Sequence, residues 1–408
     1  EIGSGLVGSE MCIRDSWYRG VQIAKTKGGD LYTAPELIIV DDANETNPYW
    51  KQGTKLIPMD IEAMCALNED LLTVIEDSTV KKIVKEYEKF KDKLDIFHVA
   101  FSGGKDSAVL LDLVKKALPK DSFVVIFGDT GMEFPDTYEA VEEAKKQCDK
   151  DGIPFYIARS HFEPSDSWKL FGPPARVLRW CCSVHKTTPQ LLLLRDIIGE
   201  KTFTEMAFVG VRADESVKRS SYDEISFGTK HRGQYSCNPI LEWGSAEIYL
   251  YLYQHNLPLN DAYKKGLSRA GCLVCPMASR FSEYMRRMNY PAHVDKFVSF
   301  IKGLNASDKT EERIKSYVEN AGWKVRKNGR DLTIADRTFE EKVEKGNLVI
   351  RFRDKSNQWK EWAKTIGPLS YDDKGHYTIN FKNVPFRFSF VTLEDGRNEI
   401  IIEDLSKI

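Results

Sequence analysis

The stretch Ile96-Phe97-His98-Val99-Ala100-Phe101, Ser102-Gly103-Gly104-Lys105-Asp106-Ser107, Ala108-Val109-Leu110-Leu111-Asp112-Leu113-Val114 constrains the chain more than any other. A short apolar run, a glycine pair and an apolar segment of helical period read as strand, tight turn and helix. The turn is neither a Walker loop, whose first glycine stands further from its Gly-Lys-Ser/Thr, nor the G-x-G-x-x-G dinucleotide fingerprint. It applies the same physics in a smaller space. Glycines let the backbone approach an anion, and the first amides of the helix face it with the positive end of the helix dipole behind them. Ser102, Ser107 and Lys105 add hydroxyl and ammonium donors. Such a turn suits a phosphate or pyrophosphate.

Strand and helix then alternate. Phe123–Phe127 and Phe155–Ala158 read as strands, with a helix from about Pro135 to Lys150 between them. This alternation predicts an α/β fold with right-handed crossovers and a doubly wound, mostly parallel sheet. Ligands of such sheets sit beyond the carboxyl ends of the strands, so Ser102 and Asp129 are expected over one site. There Asp129 is a candidate to hold Mg²⁺ or a ribose hydroxyl, or simply caps its turn.

Ser102 to Ser107 match, letter for letter, the S-G-G-x-D-S loop of the ATP pyrophosphatase (PP-loop, adenine nucleotide alpha hydrolase-like) families. The resemblance implies that Ser102, Gly103, Gly104, Lys105, Asp106 and Ser107 hold the pyrophosphate of ATP, Lys105 and Asp106 being catalytic. Asp129-Thr130-Gly131-Met132-Glu133-Phe134-Pro135-Asp136-Thr137-Tyr138 resembles the D-T-G-x-x-F-P-E-T-Y stretch of the phosphoadenosine phosphosulfate reductase family, placing Asp129 and Thr130 at the nucleotide. Arg179-Trp180-Cys181-Cys182 with Lys186, Gly210-Val211-Arg212 with Arg219, Asn238-Pro239-Ile240 and Gly271-Cys272-Leu273-Val274-Cys275 follow in the order of that family's cluster-bearing adenylylsulfate reductases. From about Ile96 to Arg287, the resemblance implies a 4Fe-4S cluster on Cys181, Cys182, Cys272 and Cys275.

The thiols carry an argument of their own. Two short ligand pairs brought together by a fold suit a tetrahedral zinc or the four corners of a 4Fe-4S cluster. Directly adjacent cysteines are the arrangement the reductase relatives use for the cluster. Arg212, Arg219 and Lys186 are candidates to grip sulfate or phosphate oxygens, Arg212 with a catalytic role. A salt bridge is the alternative for each. His185 either tunes the cysteine site or is an ordinary histidine; Cys148 and Cys65 read as buried residues and Cys237 as a spare thiol.

Eight clustered cysteines in 408 residues speak for metal or redox chemistry in a reducing, cytoplasmic compartment rather than for a disulfide scaffold. No apolar run is long enough for a membrane span. A net charge of -2 gives no global pull towards nucleic acid. Between Pro276 and Arg330, however, 12 Lys/Arg stand against 6 Asp/Glu, either a face for an anionic partner or a solvated helical surface.

Residues 1–16 read as a non-native leader, 17–60 as a small β-rich module, 61–93 as a helical connector, 94–304 as the nucleotide domain and 305–408 as a small α+β unit. The reductase relatives attack sulfur with a cysteine near their C-terminus, and here no cysteine follows Cys275. The expected function is therefore ATP cleavage between the α and β phosphates. It would adenylate an unknown acceptor, nucleic acid among the candidates, with a 4Fe-4S cluster and Mg²⁺ nearby and a sulfur or electron donor protein as partner. The alternatives are a sulfonucleotide reductase that acts on adenylyl sulfonucleotide with a thiol from a partner or from Cys237, and a nucleotide- or nucleic-acid-binding protein without turnover.

Overall fold

The computed structural model describes residues 15–18, 21–39, 60–228, 231–304, 310–327, 339–353, 359–364, 366–371 and 376–407. Most of the expected leader, the loop at Asn47-Pro48 and the turn at Asp372–Gly375 lie outside them.

Strands β1 (Asp15–Tyr18), β2 (Val21–Lys27) and β3 (Glu36–Ile39) form an antiparallel sheet. Helices α1 (Ile61–Leu67) and α2 (Glu69–Phe90) follow, α1 capped by Asp60, whose Oδ1 accepts from the Ala63 amide at 3.0 Å. The central sheet has the order β6-β5-β4-β7-β9-β8, built from β4 (Ile96–Phe101), β5 (Val124–Asp129), β6 (Phe155–Arg159), β7 (Glu205–Val209), β8 (Ile225–Phe227) and β9 (Gln234–Cys237). All its pairings are parallel except that of the edge strand β8. The chain runs outwards from β4 to β6 and then returns to β7 on the other side of β4. The order therefore reverses between β4 and β7, where a doubly wound sheet opens its crevice.

The strands are apolar on both sides because helices cover both. Phe97, Val99, Phe101, Val125, Phe127, Met206 and Phe208 share one core with α2, α3 (Lys105–Ala117), α4 (Pro135–Asp151) and α7 (Ser245–Gln254). Ile126 and Ala158 point the other way, onto Leu194 of α6 (Thr188–Ile198). Thus α2 is more than a connector: Ile83 lies in the main core, and Thr79 Oγ1 accepts from Trp243 Nε1 at 3.0 Å.

A second core joins Met132, Phe134 and Leu273 to α5 (Pro164–Phe171), α8 (Arg280–Asn289), α9 (Pro291–Leu304) and α10 (Glu311–Glu319). The remaining strands, β10 (Phe339–Glu344), β11 (Asn347–Phe352), β12 (Ser370–Tyr371), β13 (Tyr377–Phe381), β14 (Val384–Thr392) and β15 (Asn398–Asp404), make an antiparallel sheet packed on Trp359 of α11 (Trp359–Lys364). No helix among the described residues is long and apolar enough to cross a membrane.

At the amino ends of the central strands lies a buried polar knot. Glu205 Oε1 is 2.6 Å from His231 Nε2 and accepts from Gln234 Nε2 at 2.8 Å, while His98 Nδ1 lies 3.1 Å from Oε2. Burial opposes ionisation, but the imidazoles of His231 and His98 prevail and hold Glu205 down to about 2, from its ordinary value of 4.5. The stabilisation is fully present above the unfolded value and is lost as pH falls through the folded one. Replacing Glu205 by Ala should cost about 3 kcal/mol at neutral pH. In urea titrations the deficit relative to the parent chain should shrink as pH is lowered from 5 towards 2; a deficit independent of pH would refute the charge assignment.

Candidate functional site

The turn after β4 is built as its sequence suggests. Gly103 has φ +69°, and a Cβ there would lie 2.8 Å from Thr137 Cγ2, so only glycine fits. The Ser107 hydroxyl accepts from the Ser102 amide at 3.1 Å, donates to Gly104 O at 2.9 Å and lies 3.0 Å from the Ser102 hydroxyl. The Lys105 amide donates to the Tyr263 hydroxyl at 3.1 Å. Among the described residues, no hydrogen bond takes up the amides of Gly103, Gly104, Asp106 or Ser107. These four donors are unspent at the N-terminus of α3, the place where an anion is favoured, beside the exposed Ser102 hydroxyl.

The loop after β7 closes on this turn. A Cβ on Gly210 would lie 3.0 Å from the Asp106 carbonyl, so the two backbones touch. Arg212, only 3% exposed, gives Nε to Asp106 Oδ1 at 2.6 Å and its other nitrogens to Asp214, to Trp243 O at 3.3 Å and to Ser245 Oγ at 3.4 Å. Lys105 is also buried, with Nζ 2.8 Å from Asp106 Oδ2 and close to the rings of Tyr249 and Tyr263. Burial pulls its pKa down. Asp106 thus sits between two buried cations, and Arg212 is a strut between the loops rather than a free anion clamp. Arg219 likewise pairs with Glu215.

Asp129 caps its turn. Oδ1 accepts from the Gly131 amide and the Tyr138 hydroxyl, both at 2.8 Å, and Oδ2 lies 3.4 Å from Arg159 Nη1. These contacts make Asp129 the cap of its turn, with Oδ1 shared by two donors and Oδ2 facing Arg159. Thr130 turns instead towards the cysteines. Its hydroxyl donates to Glu133 Oε1 at 2.8 Å and lies 3.5 Å from Cys272 Sγ, which is itself 3.6 Å from Glu133 Oε1. Leu273 N donates to Met132 O at 2.7 Å, so the loop after β5 is laced to the C-x-x-C segment.

Cys181 and Cys182 end a short helix, Trp180–Cys182, that runs through a π turn, Ser183–Thr187, into α6. A π turn re-aims side chains and often marks a functional position. Cys181 is hydrogen-bonded to Cys182 and pushed upward by it, with Cys272 and Cys275 adding to the effect; Cys272 is pushed up by burial, Glu133 and Cys275. The two pairs are therefore electrostatic neighbours. The bond from Cys181 and the Arg179 guanidinium, 3.6 Å away, hold Cys182 down to about 5. Exposed Lys186 adds positive charge beside Cys182 and Glu133. Among the described residues no three or more His, Cys, Asp or Glu side chains stand at metal-binding spacing. Four sulfur donors with cations beside them nevertheless fit a thiolate-ligated metal centre in number and chemistry.

The other cysteines are remote from this role. Cys237 is buried in the main core at the end of β9, and burial pushes its thiol up to about 12, against thiolate formation. Cys148 is buried in α4, whereas Cys65 is only half-buried, its thiol towards Leu250 O at 3.7 Å. His185 is a core residue with Nε2 2.8 Å from Ser167 Oγ.

Several residues of the site had no motif to announce them. Asn260 donates Nδ2 to Gly103 O at 2.8 Å, and Tyr263 accepts from Lys105 N and from Ala270 N, the latter at 3.4 Å. The cation-rich segment is not one surface either, since Arg286, Lys324 and Arg326 are buried.

The strand order of the mostly parallel sheet reverses beside the S-G-G-x-D-S turn, the place where doubly wound sheets receive their ligands. Residues 96–278 match the model of the phosphoadenosine phosphosulfate reductase domain. An uncharacterized protein of Methanocaldococcus jannaschii is 36% identical over 53% of this chain and 42% of its own length, and a second from that organism is 31% identical over 59% and 56%. This chain thus spans about half the length of those curated relatives. An adenosine 5'-phosphosulfate reductase of Halalkalibacterium halodurans is 27% identical over 53% of this chain and 88% of its own length. Among solved structures, a phosphoadenylyl-sulfate reductase from Candida auris, in a phosphate complex, aligns over 54% of this chain and 97% of its own with 18% identity and a TM-score of 0.36.

Proposed function

We propose that the chain cleaves ATP between its α and β phosphates and transfers the adenylyl group to an acceptor oxygen. The observation that supports this reading is the intact turn at the sheet's switch point, where the amides of Gly103, Gly104, Asp106 and Ser107 take no hydrogen-bond partner among the described residues. In the reaction the acceptor oxygen forms a bond to the α phosphorus as the bond to the pyrophosphate oxygen breaks. Charge gathers on the departing pyrophosphate, and those amides with the α3 dipole offset it without having to reorganise. Lys105, held by Asp106 at 2.8 Å, keeps a cation behind the turn, and Arg212 fixes Asp106 from the far side.

Cys181, Cys182, Cys272 and Cys275 would hold the 4Fe-4S cluster. Bound there, it would supply electrons or a fixed charge next to the nucleotide. Sulfur chemistry on the activated acceptor, a nucleic acid or a metabolite, is the outcome this pairing suits.

Similarity to adenosine 5'-phosphosulfate reductases favours a second reading, reduction of an adenylyl sulfonucleotide by an external thiol. Both are tested on anaerobically purified full-length chain. Pyrophosphate release from ATP, or exchange of labelled pyrophosphate into ATP, is expected. Sulfite release from adenylylsulfate with a thiol donor, without any pyrophosphate reaction, would overturn the first reading in favour of the second.

A further inference from the structure

Arg286 and Arg287 are neighbours on α8 with opposite circumstances. Arg287 is served: its Nε and Nη2 reach the carboxylate of Asp295 at 3.1 and 3.2 Å, and its guanidinium lies 4.6 Å from the Tyr32 ring. Arg286 is only 7% exposed, yet its Nε and Nη1 are buried without a hydrogen-bond partner among the described residues. The nearest ring, Phe134 at 5.4 Å, offers only a weak cation–π contact. The adjacent carboxylate, Glu283, is already committed to Lys324 Nζ at 2.7 Å. Burial weighs most on its guanidinium, and the groups that favour its charge are foremost Cys275 and Cys272, the latter packed on the same core as Phe134 and Met285 of α8. Leaving a guanidinium out of water with two donors unspent costs several kcal/mol, which a fold tolerates where an anion completes the site.

We infer that Arg286 is the charge-compensating residue of the cysteine site, its Nε–H and Nη1–H directed at the sulfur shell of an anionic iron–sulfur cluster ligated by Cys181, Cys182, Cys272 and Cys275. The inference rests on the reading of those cysteines given above. Donors to cluster sulfur favour the reduced, more negative state, so Arg286 raises the reduction potential and helps retain the cluster. Its role is one of positioning and tuning; it forms no bond to the reacting atoms.

The test compares the anaerobically purified full-length chain with Arg286→Leu, Arg286→Lys and, as control, Arg287→Leu. Iron and acid-labile sulfide are counted per chain, the midpoint potential is followed by EPR during reductive titration, and the Tm of the iron-free chain is measured. Arg286→Leu should shift the potential to more negative values or lose iron, Arg286→Lys should lie between it and the parent chain, and Arg287→Leu should match the parent. With iron removed, Arg286→Leu should melt no lower than the parent, because an uncompensated buried cation has been deleted. An iron-loaded parent with unchanged potential and iron content in Arg286→Leu would overturn the inference alone. So would a lowered Tm in the iron-free variant, or weakened binding of ATP or adenylylsulfate at unchanged potential, which would make the anion the nucleotide. A parent chain that contains no iron would instead overturn the reading of the cysteines, and this inference with it.

Discussion

Arg212→Met should destabilise the chain by about 3 to 5 kcal/mol, the usual consequence of leaving one member of a buried ion pair alone. Arg212 is 3% exposed, and its departure strips Asp106 of a 2.6 Å contact, Trp243 O of its 3.3 Å contact and Ser245 of its 3.4 Å contact. The loss falls on the joint between the turn after β4 and the loop after β7, so nucleotide affinity should drop with Tm. Arg212→Lys should rescue little, because an ammonium on a flexible stem cannot serve partners spread around a planar fork. Adding Asp106→Asn to Arg212→Met should recover no stability, since it leaves buried Lys105 without its 2.8 Å carboxylate partner, and a double-mutant cycle in urea reads the coupling. A Tm for Arg212→Met equal to the parent's would contradict the strut.

Cys272→Ser should bring the iron and sulfide content of anaerobically purified protein close to background, while far-UV circular dichroism stays that of the parent. Serine replaces the sulfur ligand with a poor one for iron but keeps a polar group against Thr130 Oγ1 and Glu133 Oε1, which lie 3.5 and 3.6 Å from the thiol. Cys148→Ser and Cys237→Ser should leave the iron content untouched, because both thiols are buried in the main core away from the two pairs. Iron retained in Cys272→Ser, or a colourless parent loaded with zinc, would defeat the cluster assignment.

Local order explains what could be read in advance. The strand, turn and helix at Ile96–Ala117 are legible because periodicity, glycine and helix N-terminal chemistry all lie within one short stretch. The mostly parallel, doubly wound character of the sheet follows from strand and helix alternation in the same way, whereas its strand order does not. Arg212 was legible as important but not in its role. An arginine in a loop signals an anion, and only the fold reveals that the anion is Asp106, 106 positions away in sequence. Asp129 shows the converse, since the modest expectation of a turn cap describes its contacts better than the ambitious one. Arg286, Asn260 and Tyr263 left no trace in any motif. Their meaning lies in what surrounds them, and those neighbours come from loops that sequence spacing does not order.

One hydroxyl ties the two halves of the crevice together. The Tyr263 phenol receives the amide that opens α3 and also the amide of Ala270, a short step before the first cysteine of the C-x-x-C pair. The nucleotide turn and the backbone leading to the thiols are thus pinned to a single oxygen, so their spacing is set by one side chain.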